Sequence, residues 1–339
     1  MRLPATPRNV IVVAVAMSLF LGLVVLVSLT MGAVHLPLSE VWTALASPAR
    51  NSEAAVIVRE IRLPRILLAI LVGAALSVAG TGLQALLRNP LADPYVLGVS
   101  GGASCAAIVA IALGAGAATI ALFAAGGALA AMLLLFLLAH RALFVRGAAL
   151  EQGRDTAILL TGVMIASLCA AALSLVLTLA PDGRLRTMVF WLLGDLGGAV
   201  SLGLATAALF GWLLLLFVGL RDARALNLML GGELQAYTQG VATAQVRRRL
   251  IALTAVATGV AVALAGAVGF VGFVAPHLVR YVIGTDQRVV LPAASLLGAI
   301  LVLLADTMGR SIAAPLQLPV GALTALVGVP VFLWQLRRP

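Results

Sequence analysis

Residues 64–87 read PRILLAILVGAALSVAGTGLQALL, and beyond Arg65 no ionisable side chain appears until Arg88. A helix rises about 1.5 Å per residue, so this run can cross a hydrocarbon layer about 30 Å thick, which takes about 20 mainly apolar residues. Comparable runs recur on both sides of it, from Val10 to Trp334. Bounded by arginines, acids, prolines and glycines, they mark ten helical segments near 10–32, 64–87, 95–114, 117–139, 156–179, 199–220, 250–268, 270–283, 289–305 and 320–336. The 270–283 run is short for a full crossing, and 181–198 reads as re-entrant or interfacial. The expected fold class is an all-α polytopic membrane protein forming one transmembrane domain over residues 1–339.

Composition agrees with that reading. The chain is 63% hydrophobic and only 10% charged, where soluble domains carry about 25% charged residues. Its net charge of +10 comes entirely from arginine, spread between apolar runs and not gathered on one face, so it signals topology and no nucleic-acid partner. The apolar run from Val10 to Met31 is long for a signal-peptide core and lacks a small-residue cleavage site, so it reads as an uncleaved first helix. With the N-terminus inside, fifteen of the 22 arginines fall in the cytoplasm, Arg2, Arg141, Arg146, Arg337 and Arg338 among them, beside six acids; seven arginines and six acids lie outside. Arginine excess on one side places both termini in the cytoplasm.

A shift of 186 residues superposes Gly73 on Gly259, Gly80 on Gly266, Pro90 on Pro276, Tyr95 on Tyr281 and Gly98 on Gly284. In the ten-segment arrangement the two copies begin on opposite sides of the membrane, as in inverted-repeat transporters. The halves are 63–180 and 249–336, joined through a polar stretch at 221–249.

Five clusters punctuate the apolar runs. Ile61-Arg62-Leu63-Pro64-Arg65 places two guanidiniums three residues apart at the outer end of the second helix. They suit carboxylates of an external partner, or they snorkel to lipid headgroups. Arg88-Asn89-Pro90-Leu91-Ala92-Asp93-Pro94 is an inner loop stiffened by two prolines, and Gly98, Gly101 and Gly102 after it read as small-residue helix packing. Between the sixth and seventh helices, the polar helix from Gly232 to Gly240 is too polar to insert and too short to fold alone; it can serve as a docking surface. Val271 to His277 follows. Asp306 and Arg310, i,i+4 at a helix end, form a local ion pair, and Leu318-Pro319-Val320-Gly321 opens the last helix.

Buried ionisable groups that couple transport to an ion gradient are nearly absent, His277 being the nearest candidate. With no lysine the chain has no P-loop, and no catalytic or metal-ligand constellation appears. Cys105 and Cys169 lie inside apolar runs and read as packing residues.

In this order, Arg62-Leu-Pro-Arg65, the run Gly80 to Gly102 with Gln84, Asn89-Pro90-Leu91-Ala92 and Pro94, Val271-Gly272-Phe273 through Pro276-His277, and Leu318-Pro319-Val320-Gly321 resemble the iron-siderophore, haem and cobalamin class of ABC importer permeases, the type II importers. The resemblance spans nearly the whole chain. It implies a homodimer of ten-helix subunits in the bacterial inner membrane among lipid, with two cytoplasmic ATPase subunits that bind ATP-Mg, a periplasmic binding protein, and no cofactor, metal or catalytic residue on this chain. It further implies that Arg62, Arg65 and Arg310 receive acidic residues of the binding protein, that Gly232, Glu233, Ala236 and Gly240 belong to the ATPase coupling element, and that Asn89, Leu91 and Thr156 gate the cytoplasmic end. Gln239 stands where the family usually has leucine. The competing classes are an ion-coupled secondary transporter and a membrane-embedded enzyme.

Overall fold

The computed structural model describes residues 7–47, 52–140, 153–198 and 201–336. Arg2, Arg141, Arg146, Arg337 and Arg338, used above for topology, lie outside the described residues. Everything regular among them is helical. Seven helices are long and apolar enough to cross a membrane: α1 (Pro7–Thr30), α4 (Leu63–Leu86) with its N-terminal extension, α6 (Ala117–Leu138), α7 (Arg154–Leu179), α9 (Leu202–Arg221), α12 (Thr243–Ala265) and α14 (Gln287–Ser311). Three shorter apolar helices, α5 (Val99–Ala112), α13 (Val271–Ile283) and α15 (Val320–Leu336), complete a set that coincides with the ten expected segments. Short helices α2 (Leu38–Ala46), α3 (Glu53–Val56), α8 (Asp182–Leu192), α10 (Ala223–Leu230) and α11 (Glu233–Thr238) lie between them.

Helix α4 is the axis of the bundle, buried along nearly its whole length against α14, α12, α9 and α13. Two close approaches explain its glycines. A Cβ on Gly73 would lie 2.1 Å from the Gly298 carbonyl oxygen of α14, and one on Gly80 would lie 1.7 Å from the Gly272 carbonyl oxygen of α13. Lipid tails offer no hydrophobic drive between helices, so backbone proximity through small residues supplies the dispersion contact. Helices α1, α6, α7 and α9 instead leave broad apolar faces exposed, Leu19, Leu122, Leu168 and Phe217 among them, which suits a hydrocarbon surrounding.

Four boundaries differ from expectation, each for a local reason. Pro64 does not start the second helix: helical backbone runs on from Glu53 to Leu86. A π-helical turn at Ile57–Arg62, in which Leu63 N–H reaches the Val58 carbonyl, absorbs the donor that proline lacks. The expected segment 95–114 is divided by Gly98, whose φ of +79° ends a short 3-10 turn (Pro94–Leu97) and opens α5. Helix α12 begins at Thr243, so Arg247, Arg248 and Arg249 are helical and not part of a loop. Helix α14 runs to Ser311, which carries Asp306 and Arg310 within its last turns. Of the positions paired by the 186-residue shift, Gly98 and Gly284 both take positive φ, whereas Pro90 lies in a loop and Pro276 inside α13.

Candidate functional site

The arginines singled out by sequence meet at one end of the bundle, and they turn inward. Arg62, Arg65 and Arg310 are 3, 9 and 8% exposed, around an Asp306 that is fully buried. Oδ1 of Asp306 accepts from Nε of Arg65 at 2.8 Å and lies 2.8 Å from its Nη2, while Oδ2 accepts from Nε of Arg310 at 3.0 Å. Arg65 also donates to Gln317 Oε1 at 3.0 Å, and Arg310 to Ser28 Oγ at 2.7 Å. Arg62 donates to the carbonyls of Leu29 and Val34. The expected Asp306–Arg310 pair is thus one half of a shared carboxylate that ties α4 to α14, while Arg310 and Arg62 secure the end of α1. Arg65 and Arg310 share the Asp306 carboxylate while Arg62 is held by backbone carbonyls, so guanidinium charge outweighs the buried carboxylate, which favours further negative charge at the rim.

At the opposite end, the loop after α4 is held at its base by side chains. Gln84 donates through Nε2 to the Ala92 carbonyl at 3.1 Å and accepts from Arg280. Asp93 accepts from Tyr95 N–H at 2.8 Å, and Tyr95 O–H donates to the Val268 carbonyl at 2.8 Å. Burial pushes the Asp93 carboxyl above its ordinary value, with the Tyr95 N–H opposing. Asn89 Oδ1 accepts from Leu91 N–H at 2.9 Å, an Asx turn that presents Leu91, 53% exposed. Leu91, Asp93 and Tyr95 line a cavity of about 670 Å³ with α7 residues Val163, Ala166, Ser167 and Ala170 and with Gly269, Phe270 and Phe273. Exposed Thr156 sits seven residues before Val163, two turns along the same face of α7. The structure therefore places Leu91 at one wall of this cavity, with Asn89 shaping its turn from outside the lining, and sets Thr156 on the helix that forms the other wall.

The polar helix α11 is clamped between glycines whose conformations only glycine takes readily: Gly232 has φ +127° and Gly240 φ +83°. Gly240 closes α11 with a Schellman pair, its N–H reaching Tyr237 O at 2.9 Å while Val241 N–H reaches Ala236 O at 3.0 Å. Glu233 and Ala236 face inward, Glu233 paired with Arg247 of α12 at 2.5 Å. The outward face carries Leu234 and Tyr237, 64 and 67% exposed, beside exposed Gln235 and Gln239. Sequence reading missed Leu234, Tyr237 and the Arg247 anchor. Helical period does not announce the first two, since Tyr237 stands four residues from Glu233 on the same turn register; their exposure is decided by how α11 rests on α12.

Among the described residues no group of three or more His, Cys, Asp or Glu could hold a metal ion. Cys105 and Cys169 are free thiols in α5 and α7.

The model of the FecCD transport family matches residues 11–338. The hemin transport system permease protein HmuU of Yersinia pestis is 39% identical over 328 residues, covering 94% of this chain and 93% of that protein. The vitamin B12 import system permease protein BtuC of Escherichia coli (strain SE11) is 38% identical over 286 residues, covering 82 and 83%. Among solved structures, an inward-facing conformation of an ABC transporter of metal-chelate type superposes with a TM-score of 0.81 at 27% identity, covering 97% of this chain and 100% of the other.

Proposed function

This chain belongs to the FecCD transport family, and from that premise we propose that it is the permease subunit of an ATP-driven, binding-protein-dependent importer whose cargo is a metal chelate of the haem, cobalamin or iron-siderophore kind. Two copies would enclose the path, two ATPase subunits would dock on α11, and a periplasmic binding protein would dock over the arginine cluster at the other end. Relatives whose names specify hemin and vitamin B12 support the cargo class.

One observation carries the reading. Helix α11 presents Leu234 and Tyr237 outward while the buried Glu233–Arg247 pair fastens its inner face to α12, a helix packed directly on α4. A push on α11 is therefore transmitted through an ion pair and a rigid helix to the axis of the bundle, from which the Leu91 loop hangs. The loop is tied at Gln84 and Tyr95, so the constriction opens by helix movement and not by loop flexing. Arg62, Arg65 and Arg310 would attract acidic side chains of the binding protein at the rim while remaining fixed by Asp306 and backbone carbonyls. An ion-coupled carrier has less support, because Asp306, a carboxylate buried in a span, has both oxygens committed to arginines.

The test is co-purification of the tagged chain from its native membrane with identification of bound subunits. An ATPase in equal stoichiometry, lost in Leu234→Glu plus Tyr237→Glu without a change in Tm, supports the reading. A preparation free of ATPase overturns it.

A further inference from the structure

A cavity of about 420 Å³ lies at the end of the bundle that carries α10, beneath the C-terminal ends of α4 and α13, and Gln84, Arg88, His277, Arg280, Tyr281 and Gln287 line it. Among the described residues no carboxylate lines it. Asp286, between two lining positions in sequence, is committed to Arg288 at 2.7 Å and to Asn227 at 2.7 Å.

Arg88 is anomalous in a way that local structure does not explain. Its N–H reaches the Ala85 carbonyl and the Asn89 N–H reaches the Gln84 carbonyl at 3.1 Å, the same Schellman pairing that closes α11. At α11 the left-handed position holds Gly240; here it holds an arginine at φ +50°. A cation that merely offset the helix C-terminus could sit in the last turn with ordinary backbone angles. This one occupies a strained position, which is the kind of outlier that accompanies ligand clamps. The Arg88 guanidinium is exposed and has no hydrogen bond or ion pair among the described residues. Arg280 is held in place by Gln84 Oε1 and projects a second guanidinium at the same cavity.

Gln287 supplies an independent observation. It is 1% exposed and lines the cavity, its backbone N–H and side-chain NH₂ are taken by Asn227 Oδ1 and the Thr285 carbonyl, and its Oε1 accepts no hydrogen bond among the described residues. An open buried acceptor in the lining of a cavity that also presents two guanidiniums suits a ligand that is anionic and also brings an O–H donor.

We infer that this cavity binds a phosphate-bearing group with a hydroxyl, its anionic oxygens on Arg88 and Arg280 and its O–H on Gln287. Hydrogen phosphate and the phosphoglycerol headgroup of an inner-leaflet lipid share that chemistry.

The decisive variant is Arg88→Gly, which places in the left-handed position the residue that suits it, so loss of binding through failure to fold is not at issue and Tm should rise. The full-length chain in neutral detergent is titrated with sodium phosphate by calorimetry and, separately, incubated with short-chain phosphatidylglycerol or phosphatidylcholine and examined by native mass spectrometry. Removing one charge-assisted contact should weaken the bound anion about tenfold or more. Phosphatidylglycerol retained over phosphatidylcholine by the wild type and lost in Arg88→Gly identifies a lipid headgroup. Phosphate binding that Arg88→Gly abolishes, with no preference between lipids, identifies free phosphate. Binding of neither anion by the wild type, or equal binding by the variant, overturns the inference.

Discussion

Replacing Asp306 with asparagine should destabilise the protein more than any other single polar change outside the gate, and the size of the loss follows from its surroundings. The carboxylate is fully buried, with Oδ1 held by Arg65 at 2.8 Å and Oδ2 by Arg310 at 3.0 Å. Hydrogen bonds to charged groups contribute about 1.5–3 kcal/mol each. Asparagine keeps one acceptor oxygen, so part of one contact survives, but the guanidiniums of Arg65 and Arg310 then lose the carboxylate they share. Breaking a buried pair from one side costs about 3–5 kcal/mol because the partner charge stays desolvated, and that range is expected here. The assay is thermal unfolding of the purified chain in detergent, followed by helical circular dichroism. The double variant Asp306→Asn plus Arg65→Met should recover part of the loss, since it removes one uncompensated charge, and the single Arg65→Met should cost less than Asp306→Asn. A loss below about 1 kcal/mol for Asp306→Asn, the range of a solvent-screened pair, would refute the claim that this carboxylate holds the cluster together.

Gly80→Ala adds a Cβ 1.7 Å from the Gly272 carbonyl oxygen, so α4 and α13 must separate; a loss of about 1–3 kcal/mol or more is expected, whereas Gly22→Ala, with nothing within 4 Å, should leave Tm unchanged. Glu233→Ala removes the carboxylate paired with the buried Arg247 guanidinium and should lower Tm as well as uncouple ATP hydrolysis from transport, while Tyr237→Glu should uncouple without lowering Tm. Hydrogen bonding to Arg288 holds the Asp286 carboxyl at about 2, with partial burial opposing and Asn227 adding. A depressed carboxylate contributes stability above its unfolded value near 4 that is lost as pH falls toward 2; Tm measured from pH 6 to 2 should fall over that window in the wild type and fall less in Asp286→Asn.

Ten helical segments could be read from the apolar runs because hydrocarbon burial demands length and the absence of charge, and both are written directly in the order of residues. Their ends were less legible wherever a side chain decides them at long range. Helix α12 reaches back to Thr243 because Arg247 finds Glu233 and Arg249 finds Asp222, partners that sequence spacing does not announce. Pro64 looks like a helix start, since proline lacks a donor, yet a π turn upstream accommodates it. The residues of the arginine cluster could be named, but not their inward direction. Asp306 is local to Arg310 in sequence, and nothing in the chain indicates that it also receives Arg65 from 241 residues away. On α11, the glycine brackets could be read, but helical period does not separate the buried Glu233 from the exposed Tyr237 four residues on; the seat of the helix against α12 decides it.

The most direct measurement of the central claim is uptake into proteoliposomes containing this chain and the ATPase that co-purifies with it, with binding protein loaded in turn with haem, cobalamin or an iron-siderophore outside. The account predicts accumulation of one of these chelates that requires both ATP and the binding protein and that stops in Tyr237→Glu. Uptake driven by an ion gradient in vesicles that hold this chain alone would contradict it.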